Sequence, residues 1–235
     1  MIFIRSLLFN FIFWLVSIFF IIGLLPAILF HRLIIFAPLV WARVGLYLLK
    51  ICTNIDFCVE GKENLPKGGF IIASKHQSAW ETMAFNFIFP KTSFVLKKEL
   101  TSIFPLNFYI KHTGMVPLDR QGGVKALQSL IQHAKVILDQ RRSLVIFPEG
   151  TRTPVGQKSS YKRGIYTLYK HLECPVVPVA LNSGVCWKRR GFKKFPGTIV
   201  VKVLPPIQPG LSSEIFMETL ENMIETASQK LLMSI

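Results

Sequence analysis

The sequence predicts an α/β domain that follows an apolar N-terminal segment. Residues 6–30 contain no charged side chain, whereas short apolar runs alternate with amphipathic helical patterns after residue 50. Several of those runs end directly before polar or charged residues, as strands do when they lead into binding loops. A chain of 235 residues is long enough for one such domain and an appendage. We therefore expect residues 1–50 to form a membrane-anchoring helical segment and residues 51–235 to form the α/β domain.

The N-terminal segment has the length and composition of a membrane helix. Arg5 and Arg32 bracket the uncharged run, which is long enough to cross a bilayer core of ~30 Å. A secretory signal peptide is disfavoured, because the run exceeds the usual ~7–15 residues and no small-x-small cleavage site follows it. Gly23 and Pro26 interrupt the run, and residues 33–49 form a second apolar stretch. The segment is either a single span followed by an interfacial helix or a helical hairpin that dips into one leaflet.

Six short apolar runs predict the strands of the domain. Ile55, Phe57 and Val59 alternate with polar residues, as in a strand with one buried face. The run that begins at Phe70 is continuously apolar, which is typical of a strand buried on both faces of a parallel sheet. The predicted strands cover residues 55–59, 70–74, 94–96, 144–147, 176–181 and 198–204.

Four segments predict helices between and after these strands. The first covers residues 79–89 and stops at Pro90, which cannot continue a helix. Residues 124–138 place apolar side chains along one helical face. A third helix begins near Arg163. The last helix follows residues 209–210, with a serine at position 212 or 213 as its N-cap.

The net charge of +15 suits either nucleic acid or an anionic membrane as a partner. No helix-turn-helix or zinc-finger spacing is present, and the apolar N-terminus favours the membrane. We therefore expect membrane lipids, and no nucleic acid, as partners. The densest basic cluster lies at residues 188–194, beside Trp187, Phe192 and Phe195. This cluster is either a loop that contacts lipid headgroups or a solvated surface loop.

Several enzyme classes are disfavoured because their motifs are absent. The chain contains no P-loop, no G-x-G-x-x-G after a strand, no G-x-S-x-G elbow and no H-E-x-x-H. The cysteines form no C-x-x-C pair, and no histidine lies at zinc-finger spacing from them. We expect all four to be buried thiols in a reducing compartment: Cys52, Cys58, Cys174 and Cys186. His133 lies on the amphipathic helix and is expected at the surface.

A candidate general base follows the predicted strand at residues 70–74. His76 is followed five residues later by Glu81, in the segment HQSAWE. On one continuous helix, five residues rotate by about 500°, so the two side chains would diverge. They meet if His76 lies in the loop and Glu81 in the first turn of the next helix. Glu81 could then accept from one ring nitrogen and leave the other free to take a proton. The alternative is a polar surface histidine without a catalytic role.

Other strand ends also carry charged residues, namely Lys97, Arg120, Glu149 and Arg152. In open α/β sheets, ligands bind beyond the carboxyl ends of the strands, so these residues could form one cationic pocket. Arginine binds phosphate oxygens bidentately and lysine adds a point charge, which suits a phosphorylated substrate. Gly150 would let main-chain N–H groups approach an anion closely. Alternatively, Asp119 with Arg120 and Glu149 with Arg152 are structural ion pairs.

Four segments match, in order and separation, the motifs of one enzyme family. His76 to Glu81 corresponds to His-x4-Asp, with Glu81 in place of the usual aspartate. Residues 116–120 (VPLDR) resemble a second motif that ends in arginine, and residues 147–152 (FPEGTR) match a third in full. Residues 176–180 (VVPVA) resemble a fourth. Over most of its length after residue 50, the chain resembles the 1-acyl-sn-glycerol-3-phosphate acyltransferases, or lysophosphatidic acid acyltransferases, of bacterial phospholipid synthesis.

The resemblance implies a glycerolipid acyltransferase-like fold, with a mixed, largely parallel central sheet flanked by helices. It implies that His76 deprotonates the sn-2 hydroxyl of lysophosphatidic acid, and that Glu81 orients the imidazole and stabilises the imidazolium. The acyl donor would be the thioester of acyl carrier protein (acyl-ACP) or acyl-CoA, and the product phosphatidic acid. No metal and no bound cofactor are implied. The additional methylene of Glu81 restores the reach if the helix starts slightly further from His76.

The resemblance also implies a site for the acceptor phosphate, with Lys97 as a helper and with Arg120, Glu149, Gly150, Thr151 and Arg152. The location would be the cell inner membrane, with the catalytic domain on the cytoplasmic face. One alternative is an acyltransferase for another acceptor, such as a lyso-ornithine lipid or a lysophospholipid in remodelling. The other alternative is a non-catalytic membrane lipid-binding protein.

Overall fold

A central sheet organises the protein. The computed structural model describes residues 1–23, 31–89, 91–104, 106–119 and 121–233, with the backbone alone for residues 31–35. Within these residues, seven strands form one sheet in the order β1-β7-β6-β2-β5-β3-β4. The strands are β1 (Ile55–Glu60), β2 (Phe70–Ser74), β3 (Thr92–Lys97), β4 (Val116–Leu118), β5 (Ser143–Ile146), β6 (Val176–Leu181) and β7 (Gly197–Val203).

The sheet is mixed and largely parallel, as predicted. Five neighbouring pairs are parallel, and β6 with β7 is the antiparallel pair. The central strand β2 pairs with β5 on one side and with β6 on the other, and all of its residues are buried. Because β2, β5, β6, β3 and β4 run in the same direction, their carboxyl ends meet at one edge. This edge therefore collects the loops that carry the candidate site residues.

Helices cover both faces of the sheet. They are α1 (Ile2–Gly23), α2 (His31–Thr53), α3 (Trp80–Ile88), α4 (Leu106–Thr113), α5 (Gly123–Asp139), α6 (Gly164–Leu172), α7 (Ser183–Cys186) and α8 (Ser213–Met233). Ile72 packs in a core with residues of α1, α2 and α3, whereas Ile71 packs in a second core with residues of α5, α6 and α8. Adjacent strand residues point to opposite faces, so the sheet separates two apolar cores.

The N-terminal helices pack against each other and against the domain. The Phe13 ring lies 5.5 Å from that of Trp41, and Trp41 Nε1 donates to Ser17 Oγ at 3.0 Å, so α1 and α2 pack side by side. A Cβ on Gly45 would lie 2.5 Å from Met83 Sδ, which shows how closely α2 approaches α3. Helix α2 continues to Thr53, past the predicted boundary at residue 50. The division of the chain at that residue stays a prediction.

Membrane-helix character is present in both N-terminal helices. By length and composition, Ile2–Gly23 and Phe36–Thr53 could each cross a membrane. Large apolar side chains along α1, such as those of Phe11, Trp14 and Phe19, are exposed. Yet Phe9 of α1 and Leu49 of α2 are fully or almost fully buried in the domain core. One side of this helical segment therefore packs into the domain core, and its other side exposes apolar side chains.

Three elements and the burial of one cysteine differ from the predictions. Helix α4, the four-residue helix α7 and strand β4 were not predicted as such, and β4 is only three residues long with Pro117 inside it. Proline cannot donate to a ladder, and β4 tolerates it because it is the last strand of the sheet. The prediction that all four thiols are buried is wrong for Cys58, which is exposed. Cys58 lies on the outward face of the edge strand β1, between residues that face inward. His133 is exposed, as predicted.

Candidate active site

The candidate general base and its acid meet at the carboxyl end of β2. His76 lies in the loop after this strand, and Glu81 lies in the first turn of α3. His76 Nδ1 is 3.2 Å from Glu81 Oε2. The strand–loop–helix layout therefore resolves the unfavourable spacing of five residues on a continuous helix. When Nδ1 donates to the carboxylate, the lone pair of Nε2 on the opposite side of the ring is available as a base.

The carboxylate of Glu81 is fully buried and receives several hydrogen bonds. Ser78 N lies 3.1 Å from Oε1 and 3.0 Å from Oε2, and Gln77 N lies 3.3 Å from Oε1. Ser183, the first residue of α7, donates its hydroxyl to Oε1. The acid thus joins the His76 loop to the loop after β6. At this position the glutamate side chain brings one carboxylate within reach of donors on both sides.

Separate contacts hold the ring and the backbone of His76. The imidazole stacks on Phe147, with ring centroids 3.8 Å apart and an interplanar angle of 16°. His76 N donates to Glu149 Oε2 at 2.9 Å, and His76 O accepts from Thr153 N at 2.7 Å. Both backbone partners belong to the loop after β5. His76 retains 9% of its surface exposed, so the side chain can still reach a substrate.

Glu149 is a buried carboxylate whose two oxygens both contact other groups of the protein. Its Oε2 accepts from the His76 amide, and its Oε1 lies 2.8 Å from Lys75 Nζ. Within the described residues, its ion pair is with Lys75, and the alternative pair with Arg152 does not form. The geometry therefore places Glu149 behind His76, where its carboxylate holds the loop.

The rest of the loop after β5 presents an arginine. A tight turn is closed by Gly150 N donating to Phe147 O at 2.9 Å, and Gly150 has a φ of 68°, which favours glycine. The Gly150 amide is thus engaged within the turn, while Thr151 is exposed. Arg152 is half-buried, and its Nε is buried without a hydrogen-bond partner in the described part of the chain. A buried donor without a protein partner is suited to an anionic oxygen.

The other predicted phosphate ligands lie further along the same edge or outside the described residues. Lys97 is exposed at the end of β3, two strands from β2, which is about 10 Å at the usual strand spacing. Arg120 lies outside the described residues. Asp119, its neighbour, is 3.3 Å from Lys98 Nζ. The Gln121 amide and Lys98 together hold the pKa of the Asp119 carboxyl below its ordinary value.

Several residues at this site were not found by sequence reasoning. Ser183 and Lys75 contact Glu81 and Glu149 respectively, and Gln77 Oε1 accepts from Gly184 N at 3.0 Å. A serine or lysine beside a motif is not distinctive in a single sequence, so only proximity in the fold reveals these contacts. Among the described residues, no group of three or more histidine, cysteine, aspartate or glutamate side chains could hold a metal ion.

Sequence comparisons identify relatives over the same segment. The family described as "Acyltransferase" matches residues 56–182, more than half of the chain. The chain is 36% identical over 165 residues to the 1-acyl-sn-glycerol-3-phosphate acyltransferase of Pseudomonas aeruginosa, covering 70% of this chain and 64% of that protein. A protein of the same name from Saccharomyces cerevisiae is 28% identical over 175 residues, covering 73% and 58%. The chain thus spans less than two thirds of the length of these relatives.

A solved structure resembles the whole fold. The crystal structure of the 1-acyl-sn-glycerophosphate (LPA) acyltransferase from Thermotoga maritima superimposes with a TM-score of 0.82 and 25% sequence identity. The match covers 98% of both chains, so it includes the N-terminal helices as well as the sheet. The fold class predicted from the sequence is confirmed by this likeness. Together with the family match over residues 56–182, these comparisons show that the chain belongs to the acyltransferase family.

Proposed function

We propose that the protein transfers an acyl group to the sn-2 hydroxyl of 1-acyl-sn-glycerol-3-phosphate and so forms phosphatidic acid. The observation that carries the proposal is the contact of 3.2 Å between His76 Nδ1 and Glu81 Oε2, which leaves Nε2 for proton transfer. The names of the Pseudomonas, yeast and Thermotoga relatives support this choice of acceptor.

The proposed reaction is a direct transfer between two substrates. His76 Nε2 accepts the proton of the acceptor hydroxyl while the hydroxyl oxygen attacks the thioester carbonyl carbon. The tetrahedral intermediate then collapses, the C–S bond breaks, and the leaving thiolate takes the proton from the imidazolium. Glu81 accepts from Nδ1–H throughout and stabilises the imidazolium. Positioned base catalysis of this kind contributes typically ~10²–10⁴-fold in rate. The substrate hydroxyl is the nucleophile, so the mechanism requires no serine or cysteine nucleophile.

The acceptor phosphate would bind next to His76, at the loop after β5. Arg152 is the central ligand in this proposal, because its buried Nε lacks a protein partner within the described residues. Lys97, exposed at the end of β3, adds positive charge, and Thr151 adds an exposed hydroxyl. Arg120 is included in the proposal on its sequence motif alone, since it lies outside the described residues. We assign Glu149 and Gly150 to the shape of the loop rather than to direct contact. The mechanism requires no metal and no bound cofactor.

The donor would be acyl-ACP or acyl-CoA, delivered from the cytoplasm to a membrane-bound enzyme. Exposed apolar side chains on α1 support membrane association. Helix α1 is fixed to the domain by polar contacts: Ser6 Oγ accepts from Lys194 N at 2.8 Å, and Asn10 Nδ2 donates to Phe192 O at 3.2 Å. The exposed basic residues of the 188–193 loop therefore lie beside α1, where they can face anionic headgroups. We propose the cytoplasmic face of the inner membrane as the location.

An acyl-transfer assay tests this proposal. The full chain in membranes or micelles is supplied with acyl-ACP or acyl-CoA and with lysophosphatidic acid, a lyso-ornithine lipid or a zwitterionic lysophospholipid. We expect the highest kcat/KM with lysophosphatidic acid. A higher kcat/KM with another acceptor would identify that lipid as the substrate instead. Lipid binding without turnover on any acceptor would instead indicate a non-catalytic protein.

A further inference from the structure

A buried group of charges lies directly behind His76 and takes no part in the proposed reaction. Lys75, Glu149 and Glu225 have 2%, 1% and 7% of their surface exposed. Burial of ionised groups is unfavourable unless they are paired and hydrogen-bonded. A lysine and two carboxylates at the base of a catalytic loop are therefore held there by specific contacts.

Lys75 lies between two carboxylates from distant parts of the chain. Its Nζ is 2.8 Å from Glu149 Oε1, in the loop after β5, and 2.7 Å from Glu225 Oε1, on α8. Tyr161 donates its hydroxyl to the same oxygen of Glu225 at 3.0 Å. Burial, together with the nearby Glu225 and Glu149 carboxylates, raises the pKa of Tyr161, so the phenol remains a donor. The ammonium group thus donates a hydrogen bond to Glu225 and forms an ion pair with Glu149 on its other side, where the alignment is not that of a hydrogen bond.

This group is connected to the catalytic loop by one further hydrogen bond. Glu149 uses Oε1 for Lys75 and Oε2 for the backbone N–H of His76, at 2.9 Å. Without the Lys75 ammonium, the Glu149 carboxylate would be buried with only that amide to orient it. The position of the His76 backbone would then depend on a carboxylate that is no longer held in place.

We infer that Lys75, fixed by Glu225 of α8, is a positioning residue for His76 and acts through Glu149. The inference rests on the proposed function, since it concerns the base of that reaction. Catalytic groups need placement within about 0.5 Å, and a displacement of about 1 Å can reduce the rate ~10²-fold. The C-terminal helix therefore takes part in forming the active site, 150 residues after the catalytic loop.

Steady-state kinetics of the full chain with lysophosphatidic acid and its thioester donor test the inference. For Lys75→Met, we expect kcat to fall about 10- to 100-fold, with KM for both substrates within about twofold of the unsubstituted protein. For Glu225→Gln, which leaves Lys75 paired with Glu149, we expect a smaller loss, between that of Lys75→Met and no change. The matched control is Glu218→Gln, an exposed glutamate on the same helix, whose kcat should not change.

Two further measurements separate positioning from general loss of structure. Thermal unfolding gives the folded fraction of each variant, and kcat is expressed per folded molecule. The double variant with Lys75→Met and Glu225→Gln should have a higher kcat than Lys75→Met alone, because it removes one of the two uncompensated carboxylates. If Lys75→Met does not fold, the comparison of Glu225→Gln with Glu218→Gln decides the question.

Each result has a defined meaning. Four results would overturn the inference alone. They are an unchanged kcat per folded Lys75→Met molecule, a loss confined to KM, equal kcat values for Glu225→Gln and Glu218→Gln, and a double variant whose kcat is no higher than that of Lys75→Met. Absence of turnover by the unsubstituted protein on every lyso-lipid would overturn the proposed function, and the inference with it.

Discussion

Substitution of Glu81 tests the catalytic pair most directly. Its carboxylate receives donors from His76, Gln77, Ser78 and Ser183, so it is fixed on both sides. Glu81→Asp withdraws the carboxylate by about 1.5 Å, one C–C bond length. Contacts of 3.0–3.2 Å cannot all survive such a shift without movement of the loop. The shorter acid should retain the charge but lose some of its partners.

The expected decrease in kcat follows from the number of hydrogen bonds to the Glu81 carboxylate that are broken. A hydrogen bond to a charged group contributes about 1.5–3 kcal/mol. At about 1.36 kcal/mol per tenfold in rate, the loss of one such contact in the transition state lowers kcat by about 10- to 150-fold. Glu81→Gln keeps the length but removes the charge and turns an N–H₂ group toward donors. We expect its loss to approach the ~10⁴-fold seen when the carboxylate of a Ser-His-Asp triad becomes an amide.

The assay measures initial rates with lysophosphatidic acid and acyl-CoA or acyl-ACP, over a range of both substrates. Thermal unfolding of each variant confirms that the protein is folded. The reasoning requires the order unsubstituted, Glu81→Asp, Glu81→Gln in decreasing kcat. A Glu81→Gln protein within threefold of normal turnover, or one faster than Glu81→Asp, would refute the assigned role.

Four further outcomes are expected. His76→Ala should lower kcat by about 10²–10⁴-fold without loss of the folded protein, and near-normal turnover would exclude it as the base. Arg152→Ala should raise KM for the acceptor more than for the donor, whereas equal effects would argue against a phosphate site. Ser183→Ala, which removes one donor to Glu81, should lower kcat by about tenfold, and KM should be unchanged. Burial lowers the pKa of Lys194 from 10.5 to about 8, so the unfolded chain binds more protons between these values. The free energy of unfolding should therefore rise with pH across that window, and the rise should be smaller in Lys194→Met.

Local patterns in the sequence predicted most of the elements well. The predicted strands at 70–74 and 176–181 coincide with β2 and β6, and the helix predicted at 79–89 corresponds to α3. These elements depend on continuous apolar runs and on proline, which act over a few residues. Helices α4 and α7 and strand β4 were not predicted, since none of them has a long periodic pattern.

The sequence predicted those residues of the candidate site whose chemistry follows from residue type and spacing. His76 and Glu81 were paired from sequence because a loop separates a strand from a helix at that point. Glu149, in contrast, was expected to contact the phosphate, and its burial between Lys75 and the His76 amide appears only in the fold. The sequence shows that a motif contains a charged residue, but it does not show whether that residue faces a ligand or stabilises a loop. The orientation of the side chain is therefore known only from the structure.

The sequence by itself determined the α/β class and the apolar N-terminal segment, and it paired His76 with Glu81 as the candidate base and acid. Each of these follows from periodicity, composition or spacing within about 25 residues. The tertiary structure decided which distant groups complete the site. Ser183 reaches Glu81 across 102 positions and Glu225 reaches Lys75 across 150. Such pairs meet because the strand order places β2 between β5 and β6 and packs α8 against that side of the sheet. Strand order is set by the packing of the whole chain, and no local pattern contains it.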